Sequence, residues 1–173
     1  PRFAEAGALP VCMGAMLTRV ARFVTLTLLL AACAAPDIEP QAGTWTYQDV
    51  TLTQNSCKDA PSSTPDGEFE LTRLSATRFT IDADALENAL DCSRDGDTFT
   101  CDETLLAKFP FSDMDAELLI TVEVTGTLTS SQRITADEII RQSCTGADCA
   151  AVIAAQALTL PCEYSFSFTG AAN

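Results

Sequence analysis

Between Leu118 and Thr129 apolar and polar residues alternate without a break. Ile120, Val122, Val124, Gly126 and Leu128 share one face, and Thr121, Glu123, Thr125, Thr127 and Thr129 share the other. A period of two with one apolar face predicts a half-buried antiparallel strand. The same pattern recurs along the chain in shorter pieces. Phe69/Leu71 and Phe79/Ile81 mark two strands, Arg133–Cys144 follows a turn at Ser130-Ser131, and Cys162–Thr169 places Tyr164, Phe166 and Phe168 inward. Trp45 and Tyr47 alternate with threonines, whereas Val50 and Leu52 alternate on the opposite parity. One β-bulge near Gln48-Asp49 inserts the residue needed to bring all four to one face.

The segments between strands are rich in turn formers, above all the polar loop Asn55–Gly67. Helical signal is confined to two alanine-rich stretches, 83–89 and 150–157, neither with an apolar stripe. Short strands separated by frequent turn signals predict an all-β domain, a small antiparallel barrel or sandwich of meander type. The inward set is Trp45, Tyr47, Val50, Leu52, Phe69, Leu71, Phe79, Ile81, Phe99, Ile120, Val122, Val124, Leu128, Tyr164, Phe166 and Phe168. Apart from Gly126 these positions are large, so a filled core is expected rather than an apolar ligand cavity.

Cysteines add a second layer of constraint. The chain has eight. Cys12 and Cys33 lie ahead of the strand pattern, leaving Cys57, Cys92, Cys101, Cys144, Cys149 and Cys162. Their spacings lack the paired C-x₂-C of a zinc site, and an even set in an exported domain reads as disulfides. A two-residue hairpin loop at Gly96-Asp97 sets Asp95 opposite Thr98, Arg94 opposite Phe99 and Cys92 opposite Cys101, which predicts a Cys92–Cys101 bridge. Gly146 lets Cys144 and Cys149 close a tight loop, leaving Cys57 for Cys162. That last pair joins the first strand to the last, as in a meander closed on itself, with Cys57 beyond the strand end or behind a second bulge. The rival set is Cys57–Cys144 with Cys149–Cys162.

The first 42 residues carry no strand pattern. The chain opens on Pro1, residues 1–15 have no periodicity, and a start at Met13 or Met16 is expected. Arg19 and Arg22 then precede the short apolar run Val24–Leu30, which is too short to span a bilayer. Leu30-Ala31-Ala32-Cys33 follows it. The basic stretch, apolar run and small residues before a cysteine together resemble a bacterial lipoprotein signal peptide with its lipobox. The resemblance implies cleavage after residue 32 and acyl chains on Cys33, with the membrane as partner through them. Ala34, in place of an aspartate, implies the outer membrane of a Gram-negative envelope. Residues 16–32 are then the signal peptide, 33–42 a proline-containing tether and 43–173 one β domain.

Charge and chemistry narrow the function further. The chain holds 24 acidic and 10 basic side chains and no histidine. A net charge of −14 argues against nucleic acid as a partner. Without histidine there is no Ser-His-Asp or Cys-His catalysis and no histidine-bearing zinc site. Asp91–Asp102 partly fits a calcium loop, but cysteines sit within it and the flanks are strands. The hairpin accounts for both cysteines, so no metal or other cofactor is expected. Calcium on Asp95, Asp97 and Asp102 is the alternative. For carboxylate catalysis no acid stands in an obviously apolar context. Glu138, which shares parity with Ile134 and Ile140, is the nearest candidate and is expected to face solvent at a bulge or strand end.

Gly43-Thr44-Trp45 at the start of the first strand resembles the G-x-W motif of the lipocalin group. In that family the tryptophan plugs the closed end of an eight-stranded barrel, and the resemblance implies a carrier of a small apolar ligand. This chain departs from the family in lacking an evident helix, or an arginine, after the last strand. The expectation for the whole is a lipid-anchored envelope protein acting as a non-enzymatic binding or structural module. A lipocalin-like carrier is the first alternative and a carboxylate hydrolase the second. No catalytic residue is assigned.

Overall fold

The computed structural model describes residues 38–57, 64–83 and 88–173. Cys33, the lipobox and the first half of the tether lie outside them, as do residues 84–87 of the first alanine-rich stretch. Residues 34–173 form one compact unit, and that unit contains the closed sheet, the core and the three bridges described below.

Eight antiparallel strands close into a barrel in sequence order. They are β1 (Gly43–Asn55), β2 (Glu68–Arg73), β3 (Arg78–Ala83), β4 (Leu90–Asp95), β5 (Thr98–Pro110), β6 (Glu117–Ser130), β7 (Arg133–Thr145) and β8 (Cys162–Ala172). One helix, α1 (Cys149–Gln156), lies between β7 and β8. β8 returns to β1, so the sheet has no free edge. The barrel, not the sandwich, is the outcome, and the second alanine-rich stretch forms a short helix.

The bulge in β1 is where the parity change places it. The register against β8 shifts between Gln48 and Thr51, and Asp49 takes a positive φ of 53°. Aspartate tolerates that left-handed conformation better than most residues. A second shift between Leu52 and Gln54 brings Cys57 to the β8 seam, and Cys57 is bridged to Cys162. Cys92–Cys101 and Cys144–Cys149 complete the set. The β4–β5 hairpin has the expected register, with Asp95 opposite Thr98 and Arg94 opposite Phe99.

The interior follows from alternation. Trp45, Phe69, Leu71, Phe79, Ile81, Phe99, Val122, Val124 and Leu128 form one buried cluster with Phe168, joined by Leu90, Ile134, Ala136 and the Cys92–Cys101 pair. Four of the expected inward residues are less enclosed. Tyr47, Val50 and Ile120 are half-buried, and Leu52 is 41% exposed. Leu52 pairs with buried Phe166 and so points inward, but it stands at the mouth where β1 runs past the short strands β2–β4.

The two ends of the barrel differ. At the end holding the hairpin turns of β2–β3, β4–β5 and β6–β7, Trp45 is fully buried and its indole N–H donates to the Gln41 carbonyl at 2.9 Å. Arg94, 7% exposed, also closes this end. Its guanidinium donates to the carbonyls of Ile38 (2.5 Å), Ala76 (2.6 Å) and Gly96 (2.8 Å). At the opposite end the long strands carry Leu52, Ile120, Ile140 and Leu106, all of them partly exposed.

Candidate functional site

Glu138 lies inside the barrel. On β7 the residues Ile134, Ala136 and Glu138 are buried while Thr135 and Asp137 are exposed, so strand alternation alone turns the carboxyl inward. It pairs with Val124 on β6 and Phe166 on β8, which are 2% and 0% exposed; Glu138 itself is 9% exposed. This corrects the expectation of a solvent-facing acid at a strand end, and the expectation that no acid occupies an apolar setting. The β6–β7 ladder is unbroken from Glu117 to Leu128, so no bulge is available to turn Glu138 out.

The carboxyl has no hydrogen-bond donor among the described residues. Every fully enclosed side-chain nitrogen or oxygen among them has a partner. The Glu138 oxygens therefore keep a little accessible surface. Burial disfavours the charged form and pushes the Glu138 carboxyl up to about 7. Tyr47, on β1, faces the same interior. Its ring lies 4.8 Å from that of Phe69 and 4.9 Å from that of Phe168. Burial, and then the negative charge of Glu138, push its phenol well above the ordinary tyrosine value.

The remaining candidates lie outside the barrel wall. Asp95 and Asp97 flank the Gly96 turn, and Asp95, Asp97 and Asp102 are all exposed. The Asp95 carbonyl accepts from the Thr98 hydroxyl, and the Asp97 carbonyl accepts from the Leu128 amide. Among the described residues no three acidic or cysteine side chains are grouped to hold a metal ion. On the outer face Arg141 sits among Glu103, Glu123 and Glu163, at 3.3, 2.8 and 3.6 Å. Donation from the Thr121 hydroxyl, helped by Arg141, holds Glu103 below its usual range. This cluster carries its own cation and is a partly exposed ion-pair network. A second outer feature is an open groove of about 540 Å³ along β5–β8, lined largely by threonines such as Thr98, Thr127 and Thr135.

Two interior residues escaped the pattern as first weighed. Glu138 and Arg94 both have inward parity; Glu138 was expected in solvent, and Arg94 was placed opposite Phe99 but not counted in the core. Parity was the better guide in each case. Arg94, on β4, reaches the closed end of the barrel, where Trp45 is buried. Comparisons of this chain with protein-family models, with curated proteins and with solved structures find no match.

Proposed function

We propose that the chain is a lipid-anchored envelope protein whose barrel is a non-enzymatic binding module, taking a small apolar ligand through the end opposite Trp45. The observation that carries this reading is the buried Glu138 carboxyl, without a donor among the described residues, in an interior that is closed at one end and lined by partly exposed apolar side chains at the other. A barrel of about eight strands can be filled by side chains or hold one small ligand. The half near Trp45 is filled. A side chain at Gly170 would meet Ile134 and Phe69 at about 3 Å. The ligand of this proposal therefore enters from the other side of Glu138, past the partly exposed Ile140 and Leu52.

Two-carboxylate hydrolysis receives no support from this interior. Among the described residues Glu138 and Arg94 are the buried charged side chains, so no second acid faces Glu138. The test is ligand binding by the barrel unit, residues 34–173, with octan-1-ol as the probe followed by calorimetry. Leu52→Arg, a change at an exposed mouth position, should abolish binding without unfolding the domain. Octanol binding that is indifferent to Leu52→Arg sinks the mouth as the entrance.

The anchor is a separate claim resting on Leu30-Ala31-Ala32-Cys33. Globomycin should block processing, and acyl label should follow Cys33 and vanish in Cys33→Ser. A mature N-terminus at any other residue excludes it.

One observation favours a structural module instead. Phe99 fills the space beside Gly126, the one small inward position on the long β6 strand, as in a core packed for stability. Failure of every apolar probe to bind would select that reading.

A further inference from the structure

We propose that the ligand of this barrel is a small amine with an apolar body, its ammonium set against the Glu138 carboxylate and its apolar part directed toward Leu52 and Ile140. The inference rests on the carrier reading and names the chemistry of the head group that Glu138 would recognise.

A buried carboxylate needs a counter-charge or several donors, because an unpaired charge away from water is costly. Glu138 has neither among the described residues. The other buried charged side chain, Arg94, donates to backbone carbonyls at the closed end. The titratable side chains that face the interior near Glu138 are Tyr47 on β1 and Tyr164 on β8, both acids that become anionic when they ionise. No cation of the described residues thus meets this carboxyl, and its oxygens are not fully enclosed. A ligand ammonium supplies both the charge and the donors that are missing.

The surroundings discriminate among ligands of similar shape. A carboxylate or phosphate ligand would place like charge against Glu138 in an apolar wall formed by Val124 and Phe166. A cation meets the opposite situation. The Tyr47 ring, which feels the charge of Glu138 and packs within 5 Å of the Phe69 and Phe168 rings, adds an aromatic group that attracts an ammonium. At longer range, the net charge of −14 concentrates small cations around the molecule.

The experiment compares octylamine, octan-1-ol and octanoate by calorimetry on residues 34–173, at about pH 8 so that Glu138 is mainly ionised. Octylamine should bind more tightly than octanol by about tenfold or more, and octanoate should not bind. Glu138→Gln, nearly isosteric, should bring octylamine down to the affinity of octanol and leave octanol within about twofold. A second measurement uses the unaltered side chain. The ¹³C-detected midpoint of the Glu138 carboxyl should fall by about one unit or more under saturating octylamine. Equal binding of amine and alcohol, or an unmoved carboxyl midpoint, overturns the amine proposal while the carrier reading stands. Binding of none of the three probes overturns the carrier reading itself.

Discussion

The Phe99 ring occupies the space that a side chain at residue 126 would need. Phe99 on β5 pairs directly with Gly126 on β6, and a Cβ built on Gly126 would lie 2.5 Å from the ring edge and 2.6 Å from the Thr135 carbonyl oxygen. The ring is held from the other side by Phe79, edge-on at 5.3 Å between centroids. Neither the ring nor the β7 backbone can yield cheaply. Gly126→Ala should therefore destabilise the barrel by about 1–3 kcal/mol, despite the usual gain from replacing a strand glycine. Urea unfolding measures it, and a neutral or stabilising result would show that the Phe99–Phe79 pair has room to move.

Glu138 makes stability depend on pH with an unusual sign. Its folded-state value is raised from 4.5 to about 7. Between those values the folded chain holds a proton that the unfolded chain has lost. Stability should thus be greatest below the unfolded value, fall as pH rises toward 7, and level off above it. The full effect is on the order of 3 kcal/mol. Paired acids act oppositely. Glu103, held below its usual range, contributes stability above pH 4.5 that is lost on acidification, but it is exposed and its share is small. In Glu138→Gln the fall between pH 4.5 and 7 should vanish, with the variant the more stable protein at pH 8. Chemical denaturation across that range decides; a Glu138→Gln profile parallel to wild type would mean that the carboxyl finds a donor in solution.

Arg94 closes the end of the barrel by hydrogen bonding rather than by packing alone. Three backbone carbonyls, from Ile38, Ala76 and Gly96, converge on its guanidinium. Arg94→Leu removes the donors while leaving a buried apolar side chain, so these carbonyls lose their partner. A cost of about 2–4 kcal/mol is expected, from orphaned acceptors and lost charge-assisted bonds. The segment before β1 should loosen with it. The Gln41 amide, bonded to the Ser131 carbonyl at 2.7 Å, should exchange with solvent faster in the variant than in wild type. Unchanged exchange at Gln41 would show that Trp45 holds this segment without Arg94.

What could be read from the chain was whatever has a period of two. The β6 alternation, the parity break at Gln48-Asp49 and the hairpin register at Gly96-Asp97 each place residues by counting, whereas closure of the sheet into a barrel rests on the β1–β8 pairing, which no local count distinguishes from a sandwich. The Cys92–Cys101 bridge was legible by the same counting, since Cys92 opposite Cys101 is a statement of register, whereas Cys57, Cys144, Cys149 and Cys162 were left with two possible pairings. Composition misled where it overrode the count. Ile134, Ala136 and Glu138 continue one face of β7, and Arg94 continues the face of Leu90 and Cys92. Glu138 was placed in solvent and Arg94 left out of the inward set, although the interior of a barrel can hold an arginine with enough carbonyls or an acid that stays protonated. Exposure along a strand was illegible for a different reason. Leu52 and Phe166 face each other inside, yet one is 41% exposed and the other fully buried. That difference comes from how far each neighbouring strand extends, which no local pattern records.

The Cys57–Cys162 bridge should matter more than Cys144–Cys149. The first joins residues separated by 105 positions, the second by 5. In the chain-entropy account a cross-link stabilises by restricting the unfolded state, and the effect grows with the logarithm of the loop. That gives about 4–5 kcal/mol for the long loop and about 2 kcal/mol for the short one. Position in the fold adds to the contrast. Cys57–Cys162 fastens the β1–β8 seam just beyond its second register shift, where the ladder is already irregular. Removing it should let the mouth end of the seam open before the rest of the barrel, with faster amide exchange at Asn55 and Tyr164 than at Trp45 and Ala172. The comparison is between the paired variants Cys57→Ser/Cys162→Ser and Cys144→Ser/Cys149→Ser, unfolded in urea under identical conditions. A larger loss from the 57/162 pair, by about 2–3 kcal/mol, is the expected result. Equal losses would mean that the seam is held by its ladder and core, and that the bridge adds little to a barrel already closed.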